Sequence, residues 1–181
     1  MNSIFLILWS RLSRAIATVP DLGDRGVVMI AIAYTFFTLV FGLISGFLKW
    51  NPCRANRVIV RVVVTSLFAP AILEELAFRV LLLPYPSNYL SMSNLRWSIF
   101  SLLLFVIYHP VNALTFFPQG KETFFEPVFL ALAAILGITC TIAYDRSGSL
   151  WLPVLIHWLA VVLWLLCFDG LQRLHFNRDR Q

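Results

Sequence analysis

Glu74, Glu75, Arg79, His109 and His157 are the residues whose types and spacing can do chemistry, and each lies inside an apolar stretch. A charge at the middle of a membrane span costs about 2.5–3.5 kcal/mol on insertion scales. Glu74, Glu75 and Arg79 therefore need partners or water. Glu75 and Arg79 are spaced i, i+4 and can pair on one helix face. Glu74 points about 100° away from Glu75 on a helical wheel. It must find a partner on another element, be protonated, or face a wet cavity. His109 and His157 are the histidines within apolar stretches; His175 lies in a polar tail.

Counted from the span ends at Leu83, Trp97 and Leu150, Glu74, His109 and His157 sit roughly 13, 18 and 10 Å deep at 1.5 Å per residue. One carboxylate and two imidazoles at a common depth can activate water or hold a metal such as zinc. The alternative for each histidine is an interior ring hydrogen-bonded to a neighbouring helix. Cys53, Cys140 and Cys167 have no C-x-x-C spacing and read as small buried residues.

The elements that must position these groups follow from composition. The chain has 181 residues, of which 60% are apolar and 13% charged. Soluble domains carry about 25% charged residues, so the composition excludes a soluble enzyme and a disordered chain. The 12 Arg and two Lys lie beside apolar stretches rather than in one patch. That distribution suits membrane orientation and excludes nucleic acid as a partner.

Ile4–Val19 carries Arg11 and Arg14, lacks a small-residue cleavage site, and reads as an interfacial amphipathic helix rather than a removed signal peptide. Apolar spans follow at Val27–Leu48, Val58–Leu83, Trp97–Leu114, Val128–Tyr144 and Leu150–Phe168. Pro70 is expected to kink the second of them just before Glu74. The loops 84–96 and 116–127 are polar or aromatic. The expected fold is all-α and polytopic, with about five transmembrane helices. The expected organisation is an amphipathic segment 1–26, a transmembrane domain 27–168 and a basic tail 169–181.

The motifs Glu74-Glu75-Leu76-Ala77-Phe78-Arg79 (E-E-x-x-x-R), Phe105-Val106-Ile107-Tyr108-His109 (F-x-x-x-H) and His157 in a final apolar helix come in the order found in one family. The chain resembles the CPBP family, the CAAX protease and bacteriocin-processing (Abi) membrane proteins, over about 69–164. The resemblance implies a glutamate-dependent intramembrane endopeptidase without a required metal. It implies Glu74 as the water-activating base, with Glu75 and Arg79 holding the carboxylates. It implies His109 as the group that orients or deprotonates the water, and His157 as the group that polarises the scissile carbonyl. Zinc held by Glu74, His109 and His157 is the alternative.

The family's third motif is usually H-x-x-x-N, and here the fourth residue on is Val161, which cannot donate to an oxyanion. Asn112, three residues after His109, shares its face and is the expected substitute. The implied substrate is a hydrophobic peptide or membrane-embedded segment rather than a prenylated CAAX chain, and the expected location is a bacterial cell membrane. The rivals are a non-catalytic membrane scaffold or immunity protein, which Val161 favours, and an ion transporter, which the lack of inverted halves disfavours. Orientation is balanced. Arg11, Arg14, Arg25, Arg96 and Arg146 face one side; Lys49, Arg54, Arg57, Lys121, Arg173, Arg178 and Arg180 face the other.

Overall fold

A computed structural model describes residues 3–86 and 92–175. Residues 87–91 of the loop expected at 84–96, and the tail residues Arg178 and Arg180, lie outside the described residues. The fold is all-α, with no strand among the described residues. Three helices are long and apolar enough to cross a membrane: α2 (Arg25–Ile44), the part of α5 (Met92–Thr115) from Asn94 onward, and α7 (Pro127–Ser147). Helix α8 (Trp151–Cys167) is apolar but shorter. The remaining expected span is not one helix. It divides into α3 (Asn56–Ser66), a widened turn Leu67–Ile72, the short α4 (Leu73–Glu75) and a second widened turn Leu76–Leu81.

Pro70 accounts for the first break. It has no N–H to donate, and its ring drives the preceding residue out of the helical region. Ala69 accordingly has φ −134° and ψ 114°. The run 67–81, here called the motif helix, resumes beyond it and carries Glu74, Glu75 and Arg79.

Helix α2 ends at Ile44, four residues before the expected Leu48, because Gly46 takes a positive φ of 70°. The chain then doubles back. Leu48 N–H bonds to the Gly42 carbonyl at 2.8 Å, and Phe47 and Leu48 turn inward and are buried. At the other end, Asp24 caps α2 by accepting from Val27 N–H at 2.9 Å and pairs with Arg146 at 2.9 Å. Those two partners hold its carboxyl below the usual carboxylate range.

The loop expected at 116–127 contains a single turn at Pro118–Gly120 and the short α6 (Lys121–Phe124). The tail folds back as α9 (Gly170–His175). Its Arg173 pairs with Glu126 at 2.9 Å and lies over the Phe47 ring at 4.3 Å. Of the cysteines, Cys140 is buried as expected, whereas Cys53 and Cys167 are half-buried. Both of these lie where the 51–53 segment pairs with the end of α8, through Asn51 N–H to Cys167 O and Cys53 N–H to Leu166 O.

Helix α1 (Ser3–Ala17) is more than a surface helix. Arg11 donates to the Leu81 and Leu83 carbonyls, the unpaired end of the motif helix. The last turn of α1 meets the start of α8. Leu150 N–H bonds to Ala15 O at 2.9 Å, Trp151 Nε1–H to Ile16 O at 2.8 Å, and Ser149 hydroxyl to Thr18 O at 2.6 Å. One short helix thus joins the ends of the two elements that carry Glu74 and His157.

Candidate active site

The motif helix, α5, α7 and α8 enclose a polar layer. Glu75 and Arg79 are fully buried, and Glu74 and His157 are exposed by only 8% and 2%. A carboxylate and a guanidinium so deeply buried must be paired, and the two pair with each other, although Glu75 Oε2, Arg79 Nε and Arg79 Nη1 make no hydrogen bond among the described residues. Arg79 Nε lies 3.1 Å from Glu75 Oε2, one helical turn away. Arg79 Nη2 donates to the Gly137 carbonyl of α7 at 2.9 Å. The guanidinium carbon sits 4.5 Å from the Phe105 ring centroid, in cation–π contact.

The other oxygen of Glu75 holds His157. Nδ1–H of His157 donates to Glu75 Oε1 at 2.6 Å, a short charge-assisted bond. That bond fixes which ring nitrogen faces outward. Nε2 then lies 3.9 Å from Glu74 Oε2. This is too far for a direct hydrogen bond. Glu74 Oε2 has no hydrogen-bond partner among the described residues. The two adjacent glutamates are therefore held differently: Glu75 meets Arg79 at one oxygen and His157 at the other, and Glu74 has no contact as close.

His109 joins the layer through an aromatic spacer. Its Nδ1–H donates to the Phe105 carbonyl at 2.9 Å, which leaves Nε2 as an acceptor. The rings of His109 and His157 both stand edge-on to Phe105, at 5.1 and 5.9 Å. His109 also packs against Phe124 at 5.8 Å and Phe129 at 5.3 Å. Asn112, half-buried near the end of α5, uses its backbone carbonyl for Phe116 and Phe117 N–H, and its side chain makes no hydrogen bond among the described residues. Val161 lies one turn after His157 and is half-buried.

Three zinc ligands would need donor atoms about 2.0–2.2 Å from one point. Glu74 and His157 come close enough to each other. Among the described residues, however, no three His, Cys, Asp or Glu side chains gather for one ion.

Sequence reasoning missed two residues that shape this layer. Phe105 is the spacer that touches Arg79 and both histidines; its place at the head of F-x-x-x-H was the available signal. Gly137 accepts from Arg79, and a Cβ there would lie 2.7 Å from Leu102 Cδ1 and 3.0 Å from Phe105 Cδ1. A lone glycine in mid-span signals such close approach.

A helical membrane protein whose bundle buries a glutamate–histidine–arginine layer is the class that these features define. A family model for type II CAAX prenyl endopeptidases, Rce1-like, matches residues 55–163. The chain belongs to that family, and at the level of the family it is a CAAX-type intramembrane protease. No curated protein and no solved structure matches it.

Proposed function

We propose that the chain hydrolyses a peptide bond near or within the membrane by water activated directly on Glu74. The observation that carries this reading is the asymmetry of the two glutamates. Glu75 meets a close partner at each oxygen, His157 at 2.6 Å and the Arg79 guanidinium at 3.1 Å, while Glu74 Oε2 makes no hydrogen bond among the described residues and lies 3.9 Å from His157 Nε2. Water between those atoms gives up a proton to Glu74 as its oxygen attacks the scissile carbonyl. His109, with Nδ1–H held by Phe105, offers the Nε2 lone pair that orients the water. His157, oriented by its Nδ1–H bond to Glu75, faces the scissile carbonyl with Nε2. Glu75 and Arg79 position His157 and touch no reacting atom. The substrate is a hydrophobic peptide or membrane-embedded segment; the family's name adds prenylated CAAX chains as a class to test.

The test uses purified protein in detergent with two internally quenched peptides, one hydrophobic and one ending in a farnesylated CAAX sequence. Glu74→Gln is nearly isosteric and should lower kcat by about 10²–10⁴ while the unfolding temperature stays that of wild type. Glu74→Gln with wild-type rate overturns the reading. Stoichiometric zinc in the purified protein, together with loss of cleavage on chelation, would replace direct activation with a metal. A second reading, a non-catalytic membrane scaffold or immunity protein, draws on Val161. It moves ahead if wild type cleaves neither peptide.

A further inference from the structure

Val161 leaves the site short of one hydrogen-bond donor, and α5 carries a phenol at Tyr108, next to His109. The motif helix packs against α5. Ser101 hydroxyl donates to the Phe78 carbonyl. Phe105, one turn on, lies under Arg79 and 5.4 Å from the Phe78 ring. Tyr108 follows, its ring 5.6 Å from Phe78 and 6.0 Å from His109. Phe78 is one turn after Glu74, and Tyr108 lies within electrostatic reach of the Glu74 carboxylate. Tyr108 is half-buried, and its hydroxyl makes no hydrogen bond among the described residues. Asn112 lies a further turn along the same face, about 6 Å beyond.

We propose that Tyr108, packed on Phe78 one turn from Glu74 and adjacent to His109, donates the oxyanion hydrogen bond that Val161 cannot. This rests on the proteolytic reading above. In the step, the water oxygen bonds to the carbonyl carbon, the carbonyl π pair moves onto oxygen, and Glu74 takes the water proton. The phenol donates a hydrogen bond to that oxygen and keeps its own proton. As the oxyanion collapses, the C–N bond breaks and the leaving amine receives the proton from Glu74. Tyrosine hydroxyls serve in oxyanion holes, and removing one such donor typically costs about 10²–10³ in rate.

The experiment compares wild type, Glu74→Gln, Tyr108→Phe, Asn112→Ala, and Tyr108→Phe combined with Val161→Asn, on the same two quenched peptides. Tyr108→Phe should lower kcat about 10²–10³-fold with KM and unfolding temperature unchanged. Adding Val161→Asn to it should recover at least about tenfold, as expected if either side chain can serve the same oxygen. Asn112→Ala, at the donor expected from the sequence, should cost less than Tyr108→Phe; a larger loss moves the role to Asn112 and overturns the proposal. If Glu74→Gln is inert and Tyr108→Phe cleaves like wild type, the role of Tyr108 is overturned and the proteolytic reading stands. A slow Tyr108→Phe with a lowered unfolding temperature and no recovery from Val161→Asn marks a structural role and overturns the proposal too. Full activity in Glu74→Gln, or none in wild type, removes the proteolytic reading and this proposal with it.

Discussion

Helix α2 runs from Arg25 to Ile44 with no further charge and buries only Val27 and Gly42. The motif helix is shorter, is interrupted at Ala69, carries two carboxylates and a guanidinium, and buries all three. The two elements answer to different forces. Most α2 side chains face outward, where lipid tails are as apolar as protein, so packing there adds little net energy. The motif helix must satisfy buried charges, and each partner becomes indispensable to the next. Apolar length identifies the first kind of element, and polar residues in the wrong place identify the second.

The contrast is tested most severely at Arg79. Arg79→Met leaves Glu75 buried beside His157 without its cation, and should destabilise the protein by about 3–5 kcal/mol. Unfolding followed in detergent measures it. Adding Glu75→Gln should restore part of the loss, since two neutral groups are less costly than one unpaired charge. Gly137→Ala comes next. Its Cβ must displace Leu102 and Phe105, and overpacking of this kind costs about 1–3 kcal/mol. Ile32→Ala on α2, at a residue 63% exposed, should change stability by about 0.5 kcal/mol or less. An Ile32→Ala loss equal to that of Arg79→Met would erase the distinction between the two helices.

The fold was legible where one physical rule dominates. The expected ends of α7 and α8 fall within a few residues of those observed because Pro127, Gly148 and Pro153 punctuate them. The break before Glu74 was legible from Pro70. The widened turns on both sides of α4 were not, because they depend on how neighbouring helices pack rather than on local preference. At the site, the i, i+4 spacing of Glu75 and Arg79 predicts their pair, and the pair forms at 3.1 Å. The division of labour between Glu74 and Glu75 was not legible. It depends on which oxygen meets His157, 82 positions away in sequence. The aromatic surroundings of His109 were hidden for the same reason: Phe124 and Phe129 come from a segment that reads as a loop and the start of a span.

The bonds that α1 makes to Leu83 and Leu150 act on a lever. Glu74 and His157 stand roughly 13 and 10 Å from those anchor points at helical rise. A tilt of about 5° at either anchor would swing its side chain by about 1 Å, and misplacement by that distance can cost about a hundredfold in rate. Because both levers are fastened to the same fifteen-residue helix, a tilt of the fastening is shared by both arms. The spacing between the carboxylate and the imidazole is then less sensitive to bilayer undulation than the position of either one.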